Sequence, residues 1–381
     1  MRIGIDGTTL CDKDGNVGAG IEHYTWEIVS ALLKLKTDHV FYIWVPSNLS
    51  KERMSQLTAG AKSRVKFLKP ISPKISFLSR HLFFPLRFAL HRVEILFDPN
   101  GQLPLGWRGR SVTTLHDVAI YEHPEWFSEL GRQDFSVRIV VPRSIAHATK
   151  ILAVSHATAN RLVDLFPEAS EKTIVVHEGV QSEFDDEETV GFDKDFTLYL
   201  GTVEPRKNLL TAVNAFDAFL QQHPELAETM CFIIAGKIGW GTEEIFARIR
   251  EVNRYWSEYD ANIVRCIGAV TEDEKWNLLH HASVFVYPSL YEGFGLPVLE
   301  AMSVGTPVII SREPALMEVG GDAVMVVDHD DVEGMALAIA QCVLLPEGIS
   351  FLRDEGIARA KLFTWERAAI ETLRAIETII E

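Results

Sequence analysis

Short apolar runs alternate with longer amphipathic stretches along the whole chain. Residues 2–6, 41–45, 95–97, 111–115 and 151–154 form the runs of the first half, and 196–200, 231–235, 263–267, 284–287 and 307–310 those of the second. Runs this short, apolar on consecutive positions, predict strands covered on both faces. Between them the spacing turns helical: Ile21, Ile28, Val29, Leu32 and Leu33 share one face of a stretch over 21–35. Trp365, Ala368, Ala369, Thr372, Leu373, Ile376 and Ile380 share a face of a last helix. Further helices are expected to start near Leu209 and to run over 296–303. This alternation predicts the α/β class, with two doubly wound, Rossmann-like domains facing each other across a cleft. The first domain is read as 1–180, an acidic and non-periodic linker as 181–196, and the second domain as 197–364, with the last helix over 365–381.

At 381 residues the chain is too long for one ordinary core, which agrees with two domains. No run approaches the roughly 18 apolar residues of a membrane span, and residues 1–6 read as a first strand rather than a signal peptide. The four cysteines, Cys11, Cys231, Cys266 and Cys342, lack metal or disulfide spacing, so a reducing cytoplasm is expected. The net charge of −16 divides unevenly, +4 on residues 1–180 and −20 on 181–381. That balance argues against nucleic acid as a partner and leaves the first half able to meet something anionic. Between Arg53 and Val93 there are nine Lys and Arg and no acidic residue, interleaved with apolar clusters. Two readings of this stretch stay open: a helix with a solvated basic face, and a peripheral contact with anionic membrane or a phosphorylated lipid acceptor.

The chemistry concentrates in two places. In 287–300, Glu292 falls in the loop after a strand and Glu300 on the following helix. Gly293 and Gly295 between them allow close backbone approach, and the helix start offers amides to an anion. Two carboxylates suit hydroxyl groups and a helix start suits phosphate, so the site fits a ligand that is part sugar and part phosphate. In 201–208, Arg206 and Lys207 follow a strand at its carboxyl end, and a guanidinium beside an ammonium suits a diphosphate. His116 and Asp117 stand at another such strand end, which favours function over a structural role. Ser155, after another strand, is read as a helix N-cap, with a hydrogen bond to a ligand as the alternative. Asp12-Lys-Asp14 and Asp193-Lys-Asp195 carry an Asp-x-Asp pattern outside the context of a metal site, so no catalytic metal is expected.

Several segments together resemble the retaining glycosyltransferases of family 4, which have the GT-B fold. They are Gly18-Ala-Gly-Ile-Glu-His-Tyr24, Glu204-Pro-Arg-Lys-Asn208, Ala235-Gly-Lys-Ile-Gly-Trp240, Gly268-Ala-Val-Thr-Glu-Asp-Glu274 and 288–302. The resemblance spans nearly the whole chain and implies that the C-terminal helix crosses back to the N-terminal domain. It further implies that Arg206 and Lys207 hold the donor diphosphate, that Glu300 takes the ribose hydroxyls and that Glu292 lies by the donor sugar. Gly293, Phe294, Gly295 and Leu296 would approach sugar and phosphate through their amides, and Val270 would border the base. The Gly18–Gly20 loop would close over phosphate, His116 would bind the sugar and Asp117 would shape the acceptor pocket. Retention of configuration, by a front-face route without a protein nucleophile, is implied by the resemblance alone. Two places depart from the family pattern: Glu178 stands where Asn is usual and Gln181 where an acid is usual, and 313–318 is a looser version of a Leu-Pro-Glu segment.

The segments at 204–208 and 235–240 resemble mannosyltransferases of cell-surface polysaccharide synthesis. They imply a cytoplasmic, metal-independent enzyme at or near the inner membrane face, with no cofactor beyond its nucleotide-sugar donor. It would move a hexose, mannose from GDP-mannose, onto a glycan or lipid-linked saccharide of the lipopolysaccharide type. A UDP-glucose or UDP-N-acetylhexosamine donor is the alternative in the same class. A sugar-nucleotide epimerase and a non-catalytic binding protein are the alternatives from other classes.

Overall fold

A computed structural model describes residues 1–10, 20–70, 76–180 and 193–379. Gly18, Cys11, Asp12-Lys-Asp14, most of the expected linker and Ile380 lie outside the described residues. The chain divides into two units, Met1–Gly179 with Thr364–Glu381, and Val180–Phe363.

The first unit is built on a seven-stranded parallel sheet. Its strands are β1 (Arg2–Asp6), β2 (Val40–Trp44), β3 (Arg64–Leu68), β4 (Ile95–Asp98), β5 (Arg110–Leu115), β6 (Lys150–Ala153) and β7 (Thr173–Val175), in the order β3-β2-β1-β4-β5-β6-β7. The order reverses between β1 and β4, which makes the sheet doubly wound. Central strands are buried on both faces, and Phe84 and Phe88 from the helix Phe84–Leu90 pack under them, Phe84 stacked on Trp44 at 5.1 Å between centroids. Each such buried ring contributes roughly 1.5–3 kcal/mol.

The second unit carries a six-stranded parallel sheet of β8 (Asp195–Leu200), β9 (Met230–Ala235), β10 (Val264–Gly268), β11 (Val284–Tyr287), β12 (Val308–Ser311) and β13 (Met325–Val327). Its order is β10-β9-β8-β11-β12-β13, so the reversal falls between β8 and β11. The helix Leu209–Gln222 buries Leu209, Val213, Phe216 and Leu220 and lies beside the helix Val332–Leu344.

Three strands, β3, β7 and β13, lie outside the expected runs. All three are sheet edges, and β3 alternates charged, exposed positions with half-buried ones. The basic stretch is therefore not one helix. It contains the helix Lys51–Leu57, the edge strand β3 and a helical run over 76–90, with 71–75 outside the described residues. Asp195 already belongs to β8, two residues before the expected start of the second domain.

The last helix, Trp365–Glu377, belongs to the first unit and packs on the helix Ile21–Lys34. Thr364 caps it by accepting from the Arg367 amide, and His39 Nε2 lies 2.8 Å from Glu377. Trp365 meets Tyr24 edge-on at 5.8 Å. Gly179 passes against the backbone at Thr364 and Trp365 so closely that an added Cβ would overlap the Trp365 amide. Gly179→Ala is expected to cost about 1–3 kcal/mol in chemical denaturation; an unchanged midpoint would show that this crossing is not tight.

Candidate active site

The loops after β8 and β11 are neighbours because the sheet reverses there, and the reversal is where open α/β sheets hold ligands. Each loop is shaped by a local constraint. Pro205 starts a short 3₁₀ turn over Pro205–Lys207, and Asn208 ends it in the left-handed region at φ 54°. Asn208 Nδ2 donates to the carbonyls of Pro288 at 3.2 Å and His329 at 2.7 Å, and the Leu290 amide donates to the Arg206 carbonyl at 2.8 Å. The two loops are thus joined by backbone and amide hydrogen bonds before any charged group is considered.

Within this frame Lys207 and Glu292 meet. Lys207 Nζ lies 2.5 Å from Glu292 Oε1 and 3.0 Å from the Tyr287 hydroxyl, and Lys207 and Glu292 are only 6% and 7% exposed. Arg206 bonds Glu204 through Nε and approaches Glu292 at 3.9 Å. Two cations and two carboxylates therefore balance at one sheet end. Burial pushes the Glu292 carboxyl up, but Lys207 and Arg206 outweigh it and hold the group below its usual range. Burial also pulls the Lys207 ammonium below its usual value, with Glu292 acting in the other direction. The Tyr287 hydroxyl is kept protonated by burial first and by the Glu292 charge second.

Glu300 stands apart from this group, on the helix Leu296–Ser303. It is 6% exposed and bonds Lys275 at 2.7 Å, while Lys275 also reaches Glu272 at 2.7 Å. Burial lowers the Lys275 ammonium value, and Glu300 and Glu272 more than reverse it. Gly295 precedes the helix at φ 110°, a conformation that favours glycine, and no side chain caps the helix start. The Phe294 ring is buried and lies edge-on to Phe363 at 5.9 Å, so its backbone is the part able to face a ligand. Val270 sits half-buried between β10 and Thr271, which opens the helix Glu272–His281 with a reciprocal capping box to Glu274. Asp193-Lys-Asp195 lies at the amino end of β8, opposite the end that carries this site, and Lys194 pairs with Asp260 at 3.1 Å.

In the first unit, Gly20 opens the helix Ile21–Lys34 at φ 67°. His116 follows β5, with Nδ1 3.2 Å from Glu178 and Nε2 2.9 Å from the Pro99 carbonyl. Two acceptors on two ring nitrogens require both to carry hydrogen, which is the imidazolium. Burial lowers the His116 value, and hydrogen bonds to Glu178 and Pro99 with the Glu178 charge raise it further than burial lowers it. Asp117 accepts from the Ala119 amide at 3.1 Å. Ser155 caps the helix His156–Leu165 by accepting from the Thr158 amide at 2.9 Å.

Three participants were not singled out from sequence, Glu204, Lys275 and Tyr287 beside the candidate donor site, and Glu178 was noted only as a departure from the family pattern, not as the partner of His116. Glu204 and Tyr287 stand inside or beside the quoted motifs, but their role is a contact across loops that spacing does not reveal.

The doubly wound units have close counterparts among solved structures. The chain overlays Anabaena HepE in complex with UDP and glucose at a TM-score of 0.71 and 15% identity, covering 99% of this chain and 100% of that one. It overlays sucrose-phosphate synthase from Thermosynechococcus elongatus at a TM-score of 0.71 and 18% identity, covering 100% and 99%. These likenesses define the fold as GT-B. Residues 18–184 match the model of glycosyltransferase family 4, and residues 181–354 that of glycosyl transferases group 1. The chain is 30% identical over 303 residues to O-antigen chain mannosyltransferase B of Escherichia coli, 75% of this chain and 74% of the relative. It is 26% identical over 238 residues to the O-antigen chain mannosyltransferase RfbU of Salmonella typhimurium, 62% of each. The chain belongs to glycosyltransferase family 4 and is a nucleotide-sugar-dependent glycosyltransferase.

Two expectations follow from the geometry. Lys207→Met strands a buried carboxylate, so stability should fall by about 3–5 kcal/mol, with much of it returned when Glu292→Gln is added. Additive losses in that double-mutant cycle would show that the pair is not coupled. His116 has a folded value above its unfolded one, so its contribution is full below about pH 6.5 and fades as pH rises through the folded value. The stability gap between wild type and His116→Gln should therefore be larger at pH 6 than at pH 9, and a flat gap would count against the imidazolium.

Proposed function

We propose that this enzyme transfers mannose from GDP-mannose, with retention, onto a saccharide or lipid-linked saccharide in cell-surface polysaccharide synthesis. The observation that carries the chemistry is the Arg206–Lys207–Glu292 group, with Lys207 and Glu292 buried, at the reversal of the second sheet. Its cations are already oriented, Lys207 buried and Arg206 partly so, and charge developing on a leaving nucleoside diphosphate would meet them with little reorganisation. We assign Arg206 and Lys207 to the diphosphate and Glu292 to the sugar hydroxyls or to positive charge at the anomeric carbon. Glu300 takes the ribose hydroxyls, Val270 borders the base, and the amides of 293–296 approach sugar and phosphate. On the first unit, the glycines at 18 and 20 serve phosphate and Asp117 the acceptor, and His116 serves the sugar by exchanging its Glu178 or Pro99 partner for a sugar hydroxyl. The mannose assignment is supported by the two O-antigen mannosyltransferase relatives.

The reading needs no metal, because the paired cations supply the charge that a divalent ion supplies elsewhere. It also includes a peripheral contact with membrane, developed from the surface of the first unit. Among described residues no helix is long and apolar enough to cross a membrane.

Parallel assays with GDP-mannose, UDP-glucose and UDP-N-acetylglucosamine test the donor. Turnover is expected with GDP-mannose and is expected to survive EDTA. Robust turnover of a UDP-sugar alone overturns the mannose assignment. Activity abolished by EDTA and restored by Mn²⁺ overturns the metal-free mechanism.

A further inference from the structure

The helical run over 76–90 is apolar on both sides. Phe84 and Phe88 face the core with no exposure, whereas Leu82, Leu86 and Leu90 stand 53%, 54% and 71% exposed. These three leucines recur every fourth residue and so form one stripe on the solvent side. A helix apolar all round belongs in a core or against another apolar phase. The stripe does not end at this helix. Phe77 meets Phe135 edge-on at 5.6 Å, which brings in a second segment where Leu130 is 85% exposed and Phe135 and Ile139 are half exposed. Contiguous apolar surface of this kind marks a docking site.

The charges around it are predominantly basic, with Glu129 and Asp134 the acids that flank Leu130 and Phe135. Residues 76–93, 99–116 and 135–163 contain no Asp or Glu, and Arg87, Arg108, Arg138 and Arg143 come from these three segments. The segments are joined: the Gly106 amide donates to the His81 carbonyl at 2.9 Å, and the Leu103 amide to Ser144 Oγ at 2.8 Å. Arg143 is lowered by burial and next by the guanidinium of Arg108, so two like charges face each other there.

We infer that this face of the first unit docks on an anionic lipid bilayer, with Leu82, Leu86, Leu90, Leu130, Phe135 and Ile139 in the acyl boundary and the arginines at the headgroups. The combination of an apolar stripe and basic residues is the chemistry of a helix lying in a membrane interface. A second copy of the chain fits less well, because a self-complementary contact would set two predominantly basic faces against each other. Of the basic stretch of the sequence the inference keeps Leu82, Leu86, Leu90 and Arg87, and it adds residues between 108 and 143. Lys66 and Lys69 are occupied instead at the sheet edge, on the Tyr42 hydroxyl and the Leu49 carbonyl. It rests on the lipid-linked acceptor reading only for its purpose, since docking requires neither donor nor acceptor.

Co-sedimentation of the full chain with phosphatidylethanolamine–phosphatidylglycerol vesicles, against phosphatidylcholine vesicles, tests it. Binding to the anionic vesicles is expected, and Leu82→Glu/Leu86→Glu should weaken it about tenfold or more. Arg138→Glu/Arg143→Glu should remove the preference for anionic lipid. Donor turnover without vesicles should stay at the wild-type level in both variants, so a wrong donor assignment leaves this result standing. Undiminished binding of the leucine variant overturns the proposal. So does wild-type protein that ignores the vesicles at low salt, or one that instead dimerises through this face and loses the dimer in the same variant.

Discussion

The second unit is organised around the need to keep a lysine ammonium inside protein. Removing Lys207 from water costs several kcal/mol unless an anion and good hydrogen bonds replace the solvent. Glu292 and Tyr287 meet that need at 2.5 and 3.0 Å. Glu292 comes from the loop after β11 and Lys207 from the turn after β8, so the pairing holds only if those loops stay fixed to each other. Asn208 in a left-handed conformation and the Leu290–Arg206 backbone bond provide that fixity. A wholly apolar replacement would be at least as stable. The polar group therefore makes sense as a preorganised charge rather than as a source of stability.

The first unit has a related arrangement with the signs weighted differently. At the reversal between β1 and β4, Asp6 and Asp98 are both fully buried, and Arg80 bonds Asp6 at 3.2 Å. Burial, then the neighbouring Asp6 charge, pushes the Asp98 carboxyl up to about 7 against the opposing pull of Arg80. Thr113 donates to Asp98 at 2.6 Å and Thr8 to Asp6 at 2.7 Å. Both sheets thus concentrate ionisable groups where their strand order reverses. Backbone ends diverge there and leave polar side chains room that a continuous ladder denies them.

Much of this was legible in the sequence because parallel strands buried on both faces must be apolar at consecutive positions. That rule located the central strands and the edge strand β10, and it weakens where one side of a strand has no neighbour. β3 keeps Arg64 and Lys66 for that reason, and β7 and β13 have only three residues each, although β13 lies within the apolar run 323–327. The candidate site was legible as residue types but not as pairings. Arg206, Lys207 and Glu292 were read as ligand contacts, yet they first satisfy one another. Lys275 was missed because its partner Glu300 is 25 positions away on another helix. The basic stretch was seen as charge, whereas its more informative property is the stripe of exposed leucines, visible only once Phe84 and Phe88 are known to occupy the other face.

Glu178 shows why a departure from a family pattern has to be read with its neighbour. An asparagine at that position would offer His116 an amide and leave the imidazole free to remain neutral. A buried carboxylate at 3.2 Å, with the Pro99 carbonyl on the opposite nitrogen, commits both ring nitrogens as donors. The substitution therefore adds a negative charge and recruits a positive one, leaving the end of β5 nearly neutral but with a fixed ring orientation. Gly179 follows immediately, pressed against the start of the last helix. The same short segment holds the histidine in place and lets the C-terminal helix return to its own unit, so a change at 178 or 179 would reach both the candidate chemistry and the fold.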